Sequence, residues 1–188
     1  TDEVYGELDQ NDDPFTEKSS YSPNSPYSAS KASSDHFVRA YNVTYGINSV
    51  ITNCSNNYGP NQHEEKLIPT VIMSILKNKK IPIYGTGRNI RDWLYVGDHV
   101  NALDIVFHNG KNGETYNIGS NNEWTNIDLI QLICKICLEK KYHNNPNSLI
   151  SFVKDRLGHD KRYAINFSKL HKELSWNPKF DFHTSLVK

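Results

Sequence analysis

The sequence lacks an excess of charge of either sign, with 21 Lys and Arg residues against 21 Asp and Glu residues among its 188. A nucleic-acid-binding domain usually carries a basic excess, so this balance argues against that class. No apolar run approaches 18 residues, and we therefore expect no membrane-spanning helix. The opening residues, TDEVYGELDQ, show neither the basic nor the apolar stretch of a secretory signal peptide.

Cysteine is also scarce, and three cysteines are too few for a disulfide framework. We therefore expect a reduced, cytoplasmic protein. Cys134 and Cys137 form a C-x-x-C pair, which is half of a zinc or redox motif. The pair falls within the apolar stripe of a predicted helix and no second pair accompanies it, so we interpret both residues as core. The histidines show no metal-binding spacing, and we predict no metal.

What the sequence does contain is an alternation of predicted strands and helices, which indicates an α/β fold. An apolar stripe predicts a helix over 28–41 that ends at Gly46. β-branched alternation predicts a strand over 47–54, followed by a loop over 55–62. We expect the end of a strand at 1–5, a loop at 7–26, strands at 81–85, 115–119 and 150–153, and helices at 67–79, 97–109, 125–141 and 166–175. Residues 93–95 are expected to form a short extended piece.

Tyr27 and Lys31 form a Y-x-x-x-K pair near the start of the first predicted helix. Residues four apart lie on one helical face, so the ammonium can stand beside the phenol. A nearby cation favours the phenolate and lowers the pKa of the tyrosine, which makes Tyr27 a candidate general base. The pair alone is also compatible with two ordinary surface residues.

Thr1, Asp2 and Glu3 place two adjacent carboxyl groups beside a hydroxyl. Such a pair can supply an acid and a base, because mutual repulsion separates the two pKa values. It can equally be part of an acidic loop. The functional interpretation requires that these residues meet Tyr27 in space, as they do if the first strand ends where the helix begins.

A series of motifs then resembles the dTDP-glucose 4,6-dehydratase family of extended short-chain dehydrogenases/reductases. The motifs run in order over essentially the whole chain: TDEVYG, YSASKAS, SNNYGP, EKLIP, PIYG, IRDWLYV, GETYNIG, NID and DRLGHD-x-RYAI. The tripeptide Thr1-Asp2-Glu3 is similar to the form of this family. UDP-glucose 4-epimerases usually carry small residues there, and GDP-mannose dehydratases carry Ser/Thr-Glu-Glu.

The resemblance implies a catalytic set and a cofactor, NAD, which is recycled within each turnover. Tyr27 would take the proton of the sugar C4 hydroxyl, Lys31 would hold the nicotinamide ribose and Thr1 would hydrogen-bond at the C4 oxygen. Glu3 would remove the C5 proton, and Asp2 would protonate the C6 hydroxyl that leaves as water. The product implied is dTDP-4-keto-6-deoxyglucose.

The resemblance also implies ligand-binding residues. Asn57 would lie near the nicotinamide, and Arg91 and Arg156 would contact the diphosphate, which suits the planar guanidinium. The other residues implied to bind the nucleotide sugar are Asn56, Glu65, Lys66, Leu67, Ile68, Pro69, Thr70, Pro82, Ile83, Tyr84, Asn126, Asp155 and His159. Leu157 departs from the family pattern, which usually has proline there. Since proline fixes φ near −65°, we expect a looser loop and weaker substrate contact.

One family feature is not found in the sequence, namely the glycine-rich loop that holds the NAD pyrophosphate at a helix N-terminus. The resemblance begins partway into the family pattern. We therefore expect the C-terminal part of a Rossmann-type parallel-sheet domain, with the catalytic residues, over 1–60. A smaller α/β sugar-nucleotide domain would take most of 61–188, with a return to the Rossmann domain at about 88–115. We expect such a chain, alone, to be unstable or inactive.

Three functions remain open from the sequence. The first is the C-terminal portion of a dehydratase, typically a homodimer that packs the Tyr27–Lys31 helix against its symmetry mate. The second is another NAD-dependent sugar-nucleotide enzyme, a 4-epimerase or a decarboxylase, against which Asp2 and Glu3 argue. The third is a non-catalytic sugar-nucleotide-binding module. No nucleic-acid or membrane partner is expected.

Overall fold

The computed structural model describes residues 1–187, within which the chain forms six α-helices and eight β-strands. The helices are α1 (Pro26–Tyr45), α2 (Leu67–Leu76), α3 (Val96–Asn109), α4 (Asn126–Glu139), α5 (Ser168–Leu174) and α6 (Phe182–Val187). The strands are β1 (Ile51–Cys54), β2 (Asn56–Tyr58), β3 (Ile81–Tyr84), β4 (Ile90–Tyr95), β5 (Thr115–Ile118), β6 (Glu123–Thr125), β7 (Ile150–Val153) and β8 (Arg162–Tyr163).

Strand pairing in the described residues is mostly parallel. β1 pairs with β5, β3 pairs with β7, and both β2 and β8 pair with β4 in parallel register. Strand β6 adds to β4 in the antiparallel direction. Parallel neighbours need a crossover connection, commonly a helix, and α3 lies in the chain between β1 and β5. The predicted α/β class is confirmed.

Helix α1 has a sharp start and a sharp end. The Ser25 side chain accepts a hydrogen bond from the Ser28 backbone N–H, and Pro26 occupies the first turn, where its missing N–H costs nothing. Gly46 closes the helix at a φ of 67°, the left-handed conformation that glycine adopts without strain. The predicted stop at Gly46 is confirmed. The Ser25 cap sets where α1 begins and so places Tyr27 and Lys31 in its first two turns.

The largest apolar cluster packs α2 and α4 against β3 and β4. Val71, Ile81 and Ile130 are among its buried members, and Cys134 and Cys137 lie in the same cluster. This confirms the interpretation of the two cysteines as core. No group of three or more His, Cys, Asp or Glu side chains within residues 1–187 is arranged to hold a metal ion. None of the helices in that range is long and apolar enough to cross a membrane.

Several local predictions were wrong. Asp2–Tyr5 form a 3₁₀-helix capped by Thr1 rather than the end of a strand. The expected loop at 55–62 contains β2. The polar residues Asn56 and Asn57 are typical of a loop, but pairing with β4 stabilises the strand. Strands β6 and β8, the 3₁₀-helix Pro146–Leu149 and α6 were not predicted. Most of these are short segments whose structure comes from their neighbours in the fold.

Candidate active site

A cavity of about 700 Å³ lies beside β2, β3 and β4, where the start of α2 meets the loop 154–159. Its volume is in the range typical of small-molecule sites. Many of the residues implied by the resemblance line it: Glu3, Asn56, Asn57, Glu65, Lys66, Leu67, Thr70, Pro82, Tyr84, Arg91, Asn126, Arg156 and His159. The fold therefore gathers side chains that lie up to 156 positions apart in the sequence.

Two of the residues expected to contact a ligand lie in the core instead. Ile83 is 2% exposed and Ile68 is 6% exposed, and both belong to the large apolar cluster. Successive residues of a strand point to opposite faces, so Pro82 and Tyr84 face the cavity while Ile83 faces inward. Helical periodicity separates Leu67 and Thr70 from Ile68 in the same way. Pro69 is not part of the cavity wall either.

The carboxyl groups of Asp2 and Glu3 differ in their surroundings. Asp2 is 2% exposed, and its Oδ2 has no hydrogen-bond partner in the described part of the chain. Burial raises the pKa of Asp2 to about 7, and the nearby carboxylates of Asp92 and Glu3 contribute to the rise. Glu3 lies in the cavity wall, and burial raises its pKa too, while the Arg91 guanidinium opposes the rise. Below about pH 7 this places a protonated Asp2 beside the more accessible carboxyl group of Glu3.

Tyr27 and Lys31 lie on the first turns of α1, outside the cavity wall. The Lys31 ammonium stands 5.9 Å from the centroid of the Tyr27 ring, against the ring face. The expected fall in the pKa of Tyr27 is not seen: partial burial raises it, and the carboxylates of Glu3 and Asp2 raise it as well. The prediction of a lowered pKa was wrong because burial and these anions act on the phenol, while the Lys31 ammonium lies over the ring. The same interaction places Tyr27 near Glu3 and Asp2.

Arg91 is 7% exposed, and several contacts hold its side chain. Its guanidinium donates to the backbone oxygens of Ile90 at 2.7 Å and Asp160 at 2.9 Å, and its Cζ stands 4.2 Å from the centroid of the Tyr163 ring. These contacts fix a cation in the cavity wall. A fixed guanidinium is suited to binding a phosphate or a carboxylate.

The loop 154–159 covers one side of the cavity. Arg156 packs over Tyr84, and His159 Nδ1 lies 2.7 Å from Asp155 Oδ1. Asp155 itself lines a neighbouring cavity of about 650 Å³ rather than the main one. Gly85 has a φ of +55° and faces the Asp155 carboxylate so closely that a Cβ would stand 2.5 Å from it. Leu157 is 98% exposed, in line with a loop end without apolar packing.

Four further residues of the cavity wall were not singled out from the sequence: Gln62, Trp93, Gly158 and Tyr163. Gln62 Nε2 donates to the backbone oxygen of Asn57 at 2.8 Å and leaves its own Oε1 buried without a partner among residues 1–187. Trp93 and Tyr163 stand in the motifs IRDWLYV and RYAI. For Trp93 the available signal was its position two residues after Arg91, which places both side chains on one face of a strand. Tyr163 lies beside Arg91 only through the β4–β8 register, which no local signal indicated.

The described structure also leaves the Asn57 Oδ1 buried without a hydrogen-bond partner, although Asn57 Nδ2 donates to the backbone oxygen of Ser55 at 3.0 Å. A buried polar atom without a partner costs free energy. Asn57 lines the cavity, so a donor group of a bound molecule can satisfy this oxygen. The amide oxygen is therefore a candidate contact point for a ligand.

Comparison with curated proteins and solved structures places the chain in a family. The chain is 51% identical to a dTDP-glucose 4,6-dehydratase of Escherichia coli, over 100% of this chain and 56% of that protein. The chain spans about half the length of the curated relatives it matches. The fold is similar to that of a dTDP-glucose 4,6-dehydratase from Bacillus anthracis solved in complex with NAD, with a TM-score of 0.92 and 47% identity, covering 100% of this chain and 57% of that one.

A UDP-glucose 4-epimerase from Thermotoga maritima, solved with UDP-glucose, shares the fold at lower identity. The TM-score is 0.86 and the identity 25%, over 98% of this chain and 58% of that one. The family model described as GDP-mannose 4,6 dehydratase matches residues 1–188. The protein is a member of that family.

Proposed function

We propose that the protein dehydrates dTDP-glucose to dTDP-4-keto-6-deoxyglucose. The observation that carries this proposal is the pair Asp2 and Glu3, one carboxyl group buried and the other in the wall of a cavity that Arg91 also lines. An elimination of water needs a base for one proton and an acid for the leaving hydroxyl, and this pair supplies both. Close similarity to dTDP-glucose 4,6-dehydratases along the whole chain supports the same reaction.

NAD suits the residues present. Asn57 offers its unpartnered Oδ1, and Tyr27 and Lys31 present a hydroxyl and an ammonium on one face of α1. These three residues would hold the nicotinamide end of the cofactor. When bound, NAD supplies an acceptor for a hydride from sugar C4 and returns a hydride to C6.

The residues of this chain would then move the protons. Tyr27 takes the proton of the C4 hydroxyl, and the Thr1 hydroxyl donates to the C4 oxygen. The C4 ketone acidifies the C5 proton, which Glu3 removes. Asp2, whose burial keeps it protonated to about pH 7, gives its proton to the C6 hydroxyl, which leaves as water. The proton count closes when Glu3 returns its proton to C5 and the proton taken up by Tyr27 is passed through solvent to Asp2, which restores all three groups.

The cavity wall would hold the nucleotide sugar. Arg91 and Arg156 would pair with the diphosphate, because a guanidinium binds phosphate through two parallel hydrogen bonds. Pro82 and Tyr84 would lie beside the base, and His159 beside the diphosphate. The residues proposed along the rest of the substrate are Asn56, Glu65, Lys66, Leu67, Thr70 and Asn126.

The division of the chain into two functional parts is also a proposal. Residues 1–60 would belong to the cofactor-binding domain and most of 61–188 to the substrate domain, with 88–115 returning to the first. The parallel pair β1 and β5 supports this return, because the segment that includes α3 leads back to the strand beside β1. We place the protein in the cytoplasm, which fits its three free cysteines.

A homodimer built on α1 completes the proposal. The outward side of α1 exposes Phe37, Tyr41 and Tyr45 at half or more of their surface, whereas Ala32 packs inward against Val4. Exposed aromatic residues on one helix are typical of a subunit interface. Phe37→Asp should convert the dimer to a monomer in sedimentation experiments, and an unchanged dimer would remove α1 from the interface.

The reaction is tested by the mass of the product formed from dTDP-glucose with NAD present. A dehydratase yields a product lighter by one water. A 4-epimerase yields a product of unchanged mass with the opposite configuration at C4, which proton NMR distinguishes. Binding of dTDP-glucose without any product would favour a non-catalytic module and contradict the proposed reaction.

A further inference from the structure

Asp160 connects three parts of the site through one buried residue. It is 7% exposed. Its Oδ1 accepts a hydrogen bond from Asn24 Nδ2 at 2.8 Å, its Oδ2 accepts one from the Tyr163 hydroxyl, and its backbone oxygen accepts one from Arg91 Nη2 at 2.9 Å. A buried carboxyl group needs hydrogen-bond partners, and Asn24 and Tyr163 supply them to the two side-chain oxygens.

The first connection runs from Asp160 to the Arg91 guanidinium in the cavity wall. Arg91 and Tyr163 stand opposite each other in the β4–β8 register, and the guanidinium lies over the tyrosine ring. The ring is held through its hydroxyl by the Asp160 side chain, and the guanidinium is held by the Asp160 backbone. Asp160 thus contacts both partners of the cation–π pair, while the backbone oxygen of Ile90 also holds Arg91, and the pair lines the cavity.

The second connection leads to α1. Asn24 directly precedes Ser25, whose side chain caps α1. Tyr27 and Lys31 follow within the first two turns. The loop 154–159 packs on the same segment, since a Cβ on Gly158 would stand 3.6 Å from the Asn24 backbone oxygen, an ordinary contact distance. The bond from Asn24 to Asp160 therefore ties the start of α1 to the side of the cavity that carries Arg91.

We propose that Asp160 is a positioning residue that holds the Arg91 guanidinium and the N-terminus of α1 in one rigid frame. A diphosphate anchored on Arg91 would then present its sugar at a fixed distance from Tyr27. This inference rests on the proposed function, because it assigns the nucleotide diphosphate to Arg91 and the sugar to Tyr27. Small displacements between reacting groups are costly, so such a frame contributes to the rate as well as to binding.

The two connections can be cut separately in the natural polypeptide. Tyr163→Phe removes one hydroxyl and keeps the ring, and it should raise the Kd for dTDP about tenfold while kcat stays within about twofold. Asn24→Ala cuts the other connection, and it should lower kcat about tenfold while the Kd for dTDP stays within about twofold. Matched controls are Tyr142→Phe and Asn147→Ala, which change exposed residues outside the cavity.

The carboxylate itself is tested by a pair of variants. Asp160→Ala should raise the Kd for dTDP and lower kcat together. Asp160→Asn keeps one acceptor oxygen and adds a donor, so it should recover most of both values. If Asn24→Ala and Tyr163→Phe lower only the melting temperature and leave Kd and kcat like the controls, Asp160 has a merely structural role and the inference is wrong.

Failure of the proposed function gives a different result. If the unaltered protein neither binds dTDP in calorimetry nor releases water from dTDP-glucose, the proposed function is wrong and the inference that depends on it falls too. If the unaltered protein does both while the variants match their controls, the function stands and only the positioning role of Asp160 is overturned.

Discussion

The Arg156 guanidinium lies over the Tyr84 ring, with Cζ 4.1 Å from the ring centroid. Arg156 belongs to the loop 154–159, and Tyr84 is the last residue of β3, so the contact joins the loop to the sheet. Both side chains line the cavity. The order of the loop and the shape of the cavity therefore depend on the same pair.

Replacing Tyr84 by leucine should loosen this loop. An exposed cation–π contact is worth about 1 kcal/mol, so the Kd for dTDP should rise about fivefold. Hydrogen exchange of residues 154–159 should become faster in the variant. Tyr142→Leu, an exposed tyrosine outside the cavity, is the control. Unchanged exchange in Tyr84→Leu would show that the stacking does not order the loop.

Replacing Glu3 by glutamine should separate two steps of the reaction. The amide cannot accept the C5 proton, so deuterium exchange at C5 in heavy water should slow by about 100-fold or more while C4 oxidation continues. NMR of the sugar measures the exchange, and absorbance of the reduced cofactor measures the oxidation. Glu64→Gln, an exposed carboxylate outside the cavity wall, should behave like the unaltered protein. Normal deuterium uptake at C5 in Glu3→Gln would remove Glu3 from the role of base.

Replacing Tyr27 by phenylalanine should abolish C4 oxidation, with a fall in kcat of about 100-fold or more, because the proton acceptor is lost. Tyr142→Phe, at a similarly exposed tyrosine outside the cavity and outside α1, is the control. Since burial and two carboxylates raise the pKa of Tyr27 in the protein without cofactor, a bound cation beside the phenol has to lower it. The difference in phenolate absorbance between the unaltered protein and Tyr27→Phe should therefore shift to lower pH when NAD is added, and no shift would contradict this.

Replacing Asp2 by asparagine should change how stability depends on pH. Burial raises the pKa of Asp2 from 3.8 to about 7. The protonated acid therefore contributes fully to the free energy of unfolding below about pH 3.8, and the unaltered protein loses this contribution as the pH rises through about 7. Asparagine does not ionise and suffers no such loss. In urea unfolding, the free energy of unfolding of Asp2→Asn relative to the unaltered protein should therefore increase across this interval. Asp13→Asn is the exposed control, and a constant difference would show that Asp2 is not protonated by burial.

Helices were predicted from the sequence better than the short strands. Stripes and caps are local signals, and Ser25, Pro26 and Gly46 determine α1 largely on their own. Strand β2 depends on pairing with β4, and its two asparagines resemble a loop. Long-range pairing overrides such weak local preferences, which is why β2, β6 and β8 were not predicted.

The candidate site was likewise predicted only in part from the sequence. Motifs led to Glu3, Arg91 and Tyr84, which the fold brings to one cavity. They did not separate Ile83 from its cavity-facing neighbours, because a motif does not state which residue of a strand points inward. Nor did spacing alone reveal that burial and neighbouring carboxylates would raise the pKa of Tyr27, since both depend on the folded chain.

The most direct test of the proposed dehydration is the fate of deuterium placed at C4 of dTDP-glucose, with the natural polypeptide and NAD in ordinary water. A dehydratase that recycles its cofactor transfers the label from C4 to C6, so NMR should find deuterium in the methyl group of a product that has lost one water. Deuterium that stays at C4 of a product of unchanged mass would indicate epimerisation, and an unconverted substrate would indicate no catalysis. Either of these results would contradict the proposed dehydration.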